Sequence, residues 1–169
     1  ILWTAFLFSA LLGMNRMFQA ESERGGLEGL MLCPIDRTTL YLAKCGTLFV
    51  LLTTTIVATF FMFIIFFNVR LLGQLPQLAL VAILGSLGLS ALGTSFAAMA
   101  AKTGARDILL PLLLVPIAIP LLIAAVKCTA AILAGDGLST AQSWVQLLAA
   151  FDVIFLAAGY LTFPAILEE

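Results

Sequence analysis

The chain has 169 residues, 63% of them apolar and only 10% charged, with eight Lys or Arg against nine Asp or Glu. A soluble domain is about 45–50% apolar and about 25% charged, so a mean hydropathy of +1.18 excludes both a soluble globular fold and disorder and leaves an integral membrane protein. A net charge of −1 gives no footprint for nucleic acid, and the lack of histidine removes imidazole metal sites, imidazole haem ligation and His-based catalysis.

The apolar runs are continuous rather than alternating, so they predict helices and not barrel strands. The reading is an all-α integral membrane protein. It is one transmembrane domain over 1–169, with five transmembrane helices and a short cytoplasmic coupling helix. The first span runs from Ile1 to about Phe18. It starts without Met and without the basic n-region of a signal peptide. Further chain upstream is expected, carrying a sixth span.

Residues 19–39 read QAESERGGLEGLMLCPIDRTT and form the one strongly polar stretch. Glu21 and Arg24 are three apart, Arg24 and Glu28 four apart, which are spacings of one helix face. Glu23 adds a further charge, while Leu27, Leu30 and Met31 make an apolar stripe on another face. Pro34 ends the helix near Leu32. Four acidic and four basic residues lie between Arg16 and Lys44, a balance that argues against simple attraction to anionic lipid. A helix presenting Leu and Met between charges suits a protein groove. The alternative is an interfacial helix resting on the bilayer.

The second span covers about Leu40 to Phe67 and the third about Leu78 to Ala101. On the third, Ala82, Ser86, Ser90, Thr94 and Ala98 recur every four residues, with Gly85, Gly88 and Gly93 beside them. Such ridges let helices approach closely in lipid. Packing within the chain, a subunit interface or a substrate-facing groove would each use one. The fourth span, about Ile108 to Val126, contains Pro111, Pro116 and Pro120. Each removes an intrahelical donor and favours a kink. Such kinks suit a moving part and also occur as static features.

The fifth span, about Ser143 to Phe163, carries Asp152. An ionisable group at membrane depth is costly and is a functional candidate by default. The plainer alternative is a carboxylate bonded to a hydroxyl or amide of a neighbouring helix. Cys33, Cys45 and Cys128 are too few and too scattered for a disulfide framework or a zinc site, and no metal site is expected.

Basic residues set the orientation. Arg16, Arg24, Arg37, Lys44, Lys102 and Arg106 fall in one set of loops, and Arg70 and Lys127 in the other. The segment 19–39 and the C-terminus are therefore placed in the cytoplasm.

The pattern E-x-E-R-G-G-L-E-G-L-M-x-x-P from Glu21 to Pro34, followed by Lys44, resembles the coupling segment of membrane subunits in exporter-type ABC transporters. L-L-G-M-N-R-M-F at Leu11 to Phe18, L-V-P-I-A-I-P-L-L-I-A-A at Leu114 to Ala125 and L-L-A-A-F-D-V-I-F-L at Leu147 to Leu156 narrow the likeness, together with the acidic tail Glu168 and Glu169. Together these are similar to the haem exporter B family, the ABC-2-like membrane subunit of the cytochrome c maturation transporter. Members of that family begin with an extra helix and span that this sequence does not show.

The resemblance implies a multi-pass subunit of the bacterial inner membrane. It would couple ATP hydrolysis by a separate ABC ATPase subunit to haem export or haem-chaperone handling. Its partners would be that ATPase, other haem-handling membrane subunits, a haem chaperone and the lipid bilayer. The residues agree on one point: the chain has no G-x-x-x-x-G-K-[ST] loop, so P-loop ATP binding falls to a partner. No enzymatic activity and no cofactor are expected on this chain itself. Haem is handled by the complex, since Tyr41 and Cys45 are not convincingly paired as iron ligands. Two other readings stay open: a permease of another ABC-2-type exporter, for a lipid-linked glycan or drug, and a non-transport membrane scaffold. An intramembrane enzyme built on Asp152 is the weakest, because acid–base work usually needs a second positioned group.

Overall fold

The computed structural model describes the backbone at 2–23, 37–67, 73–102 and 106–168, and the side chains of those residues apart from 17–23, 37, 66–67, 101–102, 106–109 and 163–168. Among these residues there are only helices and short turns: α1 (Leu2–Glu23), α2 (Arg37–Phe67), α3 (Leu75–Lys102), α4 (Arg106–Ala134), the single-turn α5 (Gly137–Thr140) and α6 (Gln142–Glu168).

Four of them contain stretches long and apolar enough to cross a membrane: Thr38–Ile65, Leu75–Ala100, Leu110–Ala134 and Gln142–Thr162. These match the second to fifth expected spans. The first expected span is not among these four; the apolar stretch of α1 gives way to Asn15 and Arg16. The helix nonetheless runs unbroken to Glu23, so the start of the polar segment continues the first helix. The fourth helix also outlasts its expected end. Lys127 is a single exposed charge whose stem can lie along the helix while its head reaches polar surroundings. The stop comes instead at Gly135 and Gly137, whose φ values of 86° and 71° are left-handed and suit glycine.

Many hydroxyls within these helices need a partner where water is absent. Eight find it one turn back, while Thr53 and Ser86 have no partner among the described residues. Thr47, Thr54, Thr55, Thr59, Thr94, Ser95, Thr129 and Thr162 each donate to the carbonyl four residues earlier, at 2.7–3.0 Å. Adjacent threonines such as Thr54 and Thr55 are therefore tolerated inside an apolar helix.

The bundle is built around α3. In that helix 56% of the apolar window is buried, against 17% in α2, 33% in α4 and 22% in α6. Its small residues are the reason. Ser86, Ser90 and Thr94 are fully buried and Ala82 nearly so, and the glycines beside them receive large side chains. The Trp3 ring of α1 lies on Gly85, Met14 of α1 on Gly93, and Leu121 of α4 on Gly88. The small-residue ridge thus serves packing within the chain.

The pairings fix the helix directions. Trp3 meets Gly85 and Met14 meets Gly93, so α1 and α3 run parallel. Asp152 meets Gly88 and Gly159 meets Ser95, so α6 runs parallel to both. With α2 and α4 returning between them, the end of α1, the start of α2, the facing ends of α3 and α4, and the end of α6 gather at one end of the bundle. The opposite end holds Trp3, whose indole Nε1 donates to Thr129 Oγ1 of α4 at 3.0 Å. Trp3 also stands edge-on to Phe6, with ring centroids 5.6 Å apart.

Candidate functional site

The polar segment that carries most of the expected coupling residues lies largely outside the described residues. Arg24, Leu27, Glu28, Leu30, Met31 and Pro34 all fall there. Glu21 and Glu23 lie on the last turn of α1, with their side chains outside the description. The ends of the segment are nevertheless placed: α1 leads in at Glu23 and α2 leads out at Arg37.

Directly beyond that exit, α2 turns a polar face toward α3. Tyr41 is fully buried, and its hydroxyl donates to the Ala91 carbonyl at 3.4 Å. Cys45, one turn on, brings Sγ to 3.5 Å from the Ser90 hydroxyl. Ser90 in turn donates to the Leu87 carbonyl at 2.8 Å. Lys44 is buried on the same side of α2. Tyr41 also reaches a third helix, because its hydroxyl abuts Gly159 of α6. Sequence reasoning leaves Tyr41 and Cys45 unpaired. Their spacing of four residues does place them on one helix face, and that face meets the Ser90–Thr94 ridge. The signal is present in the spacing, but choosing α3 as the neighbour requires the fold.

Asp152 sits deeper in the bundle, at the junction of α6 with α3 and α4. It is 3% exposed, and neither carboxylate oxygen has a hydrogen-bond partner among the described residues. Its Oδ1 lies against Gly88, where any Cβ would come within 2.5 Å of it. Leu121 and Phe151 press on the same glycine. The alternative of a bond to a hydroxyl or amide of a neighbouring helix is not met among the described residues. Phe151 stacks at a tilt on Phe155, with centroids 4.3 Å apart, and Phe155 packs on the cluster of Tyr41, Cys45 and Ala91. Asp152 and Tyr41 thus belong to one α3–α6 seam.

The three prolines do not join this seam. α4 continues through Pro111, Pro116 and Pro120. Pro116 and Pro120 are exposed, on the outward side of the helix with Leu112, Ile119 and Ile123. At the end far from the polar segment are two apolar cavities. One, of about 280 Å³, is lined by Trp3, Phe60, Phe63, Leu78, Thr129 and Leu133 among others. The second, of about 240 Å³, shares Phe60 and Leu78. Among the described residues, no group of three or more Cys, Asp or Glu is placed to hold a metal ion.

Comparison with known proteins gives two matches. A family model described as CcmB protein matches residues 1–169. The heme exporter protein B of Pseudomonas aeruginosa is 32% identical over 125 residues, covering 73% of this chain and 55% of that protein. The chain therefore spans about half the length of the curated relative it matches. No solved structure matches it.

Proposed function

We propose a function from one premise: this chain belongs to the CcmB protein family. It acts as a membrane subunit of a haem exporter of the cytochrome c maturation type. It carries no catalysis of its own and is driven by a separate ABC ATPase. It sits in the bacterial inner membrane, with the 19–39 segment and the C-terminus cytoplasmic. The excess of Lys and Arg at that end of the bundle supports this orientation.

The observation that carries the coupling role is how the segment is tethered. It is held between α1 and α2, and both helices are keyed into α3, α1 by Met14 on Gly93 and α2 by Tyr41 on Ala91. A push on the segment is therefore transmitted to the central helix as rigid-body motion. Motion of this kind needs contacts that differ between two states. Glu21, Glu23, Arg24, Leu27, Glu28, Leu30, Met31 and Pro34 are the residues that the ATPase would grip.

Haem is cargo of the complex. The best candidate iron ligands in the chain, Tyr41 and Cys45, are both turned onto α3 and engaged with Ala91 and Ser90. Ligation through either would break the α2–α3 contact. Haem is accordingly handled by other subunits and passed to a chaperone on the outer side.

The test is purification of the tagged full-length protein in mild detergent, with identification of the attached chains. An ABC ATPase together with haem-handling membrane subunits is the expected result. Recovery without any ATPase would overturn the coupling role. Unimpaired haem attachment to apocytochromes in a deletion strain would instead assign the exporter another cargo.

A further inference from the structure

A polar group taken out of water needs a partner, and leaving it without one costs about 1–3 kcal/mol, more if it is charged. Asp152 has none among the described residues, with both oxygens buried. Its surroundings are otherwise close-packed: Gly88 provides just enough room for Oδ1, and Leu121 and Phe151 close the sides. The carboxyl is thus held in place by shape and opposed by its own solvation.

Much of the rest of the seam is small residues fitted against larger ones. Phe155 packs on the cluster that includes Ala91, and Gly159 lies under the Tyr41 hydroxyl and the Ser95 side chain. Ser95 spends its donor on Ala91 of its own helix, at 3.0 Å. Among the described residues, the Asp152 carboxyl makes no hydrogen bond from α6 to α3. Small residues in lipid associate through van der Waals fit, and a modest separation loses that fit without breaking a polar bond.

We propose that the α3–α6 seam is a working joint that opens at the Gly88–Asp152 contact, and that Asp152 finds its hydrogen bonds in the opened state, to water entering between the helices. The unpaired carboxyl lowers the cost of opening. The glycine restores a tight fit on closing. Tyr41 spans α2, α3 and α6 in the same seam, so motion of α2 reaches the joint directly. The joint rests on the proposed ATPase coupling for its drive, though not for its existence.

The experiment uses the full-length protein in its assembled complex. The probe is a water-soluble carbodiimide with glycinamide, read by mass spectrometry of the modified peptides. Asp136, exposed at the turn after α4, is the internal standard. Modification of Asp152 relative to Asp136 is measured without nucleotide, with Mg-ATP, and with Mg-ATP and vanadate. The expected result is a change of at least about fivefold between nucleotide conditions at Asp152, and none at Asp136. Gly88→Ala places a methyl in the closed contact and is expected to raise Asp152 modification in every condition. Modification raised by Gly88→Ala but indifferent to nucleotide keeps the joint and removes the ATPase as its drive. If Asp152 stays unmodified in all three nucleotide conditions, the joint is overturned, whatever the variant does.

Discussion

Trp3 offers a sharp test of how the bundle is held, because one side chain combines a cavity wall and a hydrogen bond. It is 2% exposed, lies on Gly85 and donates to Thr129, whose own hydroxyl proton goes to the Ala125 carbonyl at 2.8 Å. Trp3→Phe removes the indole donor and leaves no orphan, since the Thr129 hydroxyl keeps its bond. Hydrogen bonds between membrane helices average about 0.6 kcal/mol, so this variant should lose about 1 kcal/mol in all. Thr129→Val does the reverse. It strands a buried indole N–H, which costs about 1–3 kcal/mol, and it also removes the Thr129 bond to the Ala125 carbonyl. Trp3→Ala empties roughly 100 Å³ beside an existing cavity, and at about 24 cal/mol per Å³ the loss is about 2.4 kcal/mol on top of the bond. The expected order of destabilisation is Trp3→Ala, then Thr129→Val, then Trp3→Phe. Reversible unfolding by SDS in mixed micelles, followed by far-ultraviolet circular dichroism, measures all three. If Thr129→Val costs no more than Trp3→Phe, the donor–acceptor asymmetry is wrong.

Other positions respond in directions the packing sets. Gly159→Ala should destabilise by about 1–3 kcal/mol through overpacking against Tyr41, whereas Gly46→Ala, with open space around its Cα, should gain up to about 1 kcal/mol of helix propensity; the same unfolding titration compares them, and equal effects would deny the Tyr41 contact. Tyr41→Phe combined with Gly159→Ala should recover at least about 0.5 kcal/mol in a double-mutant cycle. Asp152→Leu should stabilise the chain by about 1–3 kcal/mol, by removing an unpaired buried carboxyl, while reducing haem attachment to apocytochromes; a stabilised variant with full function would remove Asp152 from the mechanism. Leu27→Asp and Glu28→Lys should each cut the ATPase rate of the assembled complex severalfold, and normal rates in both would favour a passive scaffold.

Much of this architecture is legible in the sequence because lipid imposes simple rules. An apolar run of about 20 residues in lipid has to close its hydrogen bonds internally, and of the five spans read on that rule four are found as long apolar helices. The ridge on α3 is visible as a four-residue period of Ala, Ser and Thr with glycines alongside. The choice of partner for each notch is not visible. Nothing local distinguishes Gly85, which takes Trp3, from Gly88, which takes Asp152. That assignment depends on which helices run parallel and at what register. The end of α4 escapes the sequence for a different reason. Lys127 reads as the start of a loop by charge alone, yet one exposed lysine costs a helix little, and the left-handed glycines at 135 and 137 decide the stop. Asp152 stands out as a site because of its charge. Its lack of a partner is a property of packing, which a sequence does not carry.

The two kinds of interhelical contact in this chain suggest how one bundle can be both firm and movable. At the Trp3 end α1 is tied to α4 by a buried hydrogen bond and to α3 by a large aromatic wedge on Gly85, and lifting α1 away would sacrifice both. Along α3 and α6 the contacts are glycine, alanine and serine against side chains that fit them closely. Dispersion forces there are lost steeply with distance, so the seam has a closed state and an open state with little between. The proposed drive by a separate ATPase would need that division: one region that moves as a body, and one boundary where the motion is taken up. Placing the unpaired Asp152 carboxyl at the boundary, rather than in the tied region, puts the penalty of dehydration where opening relieves it.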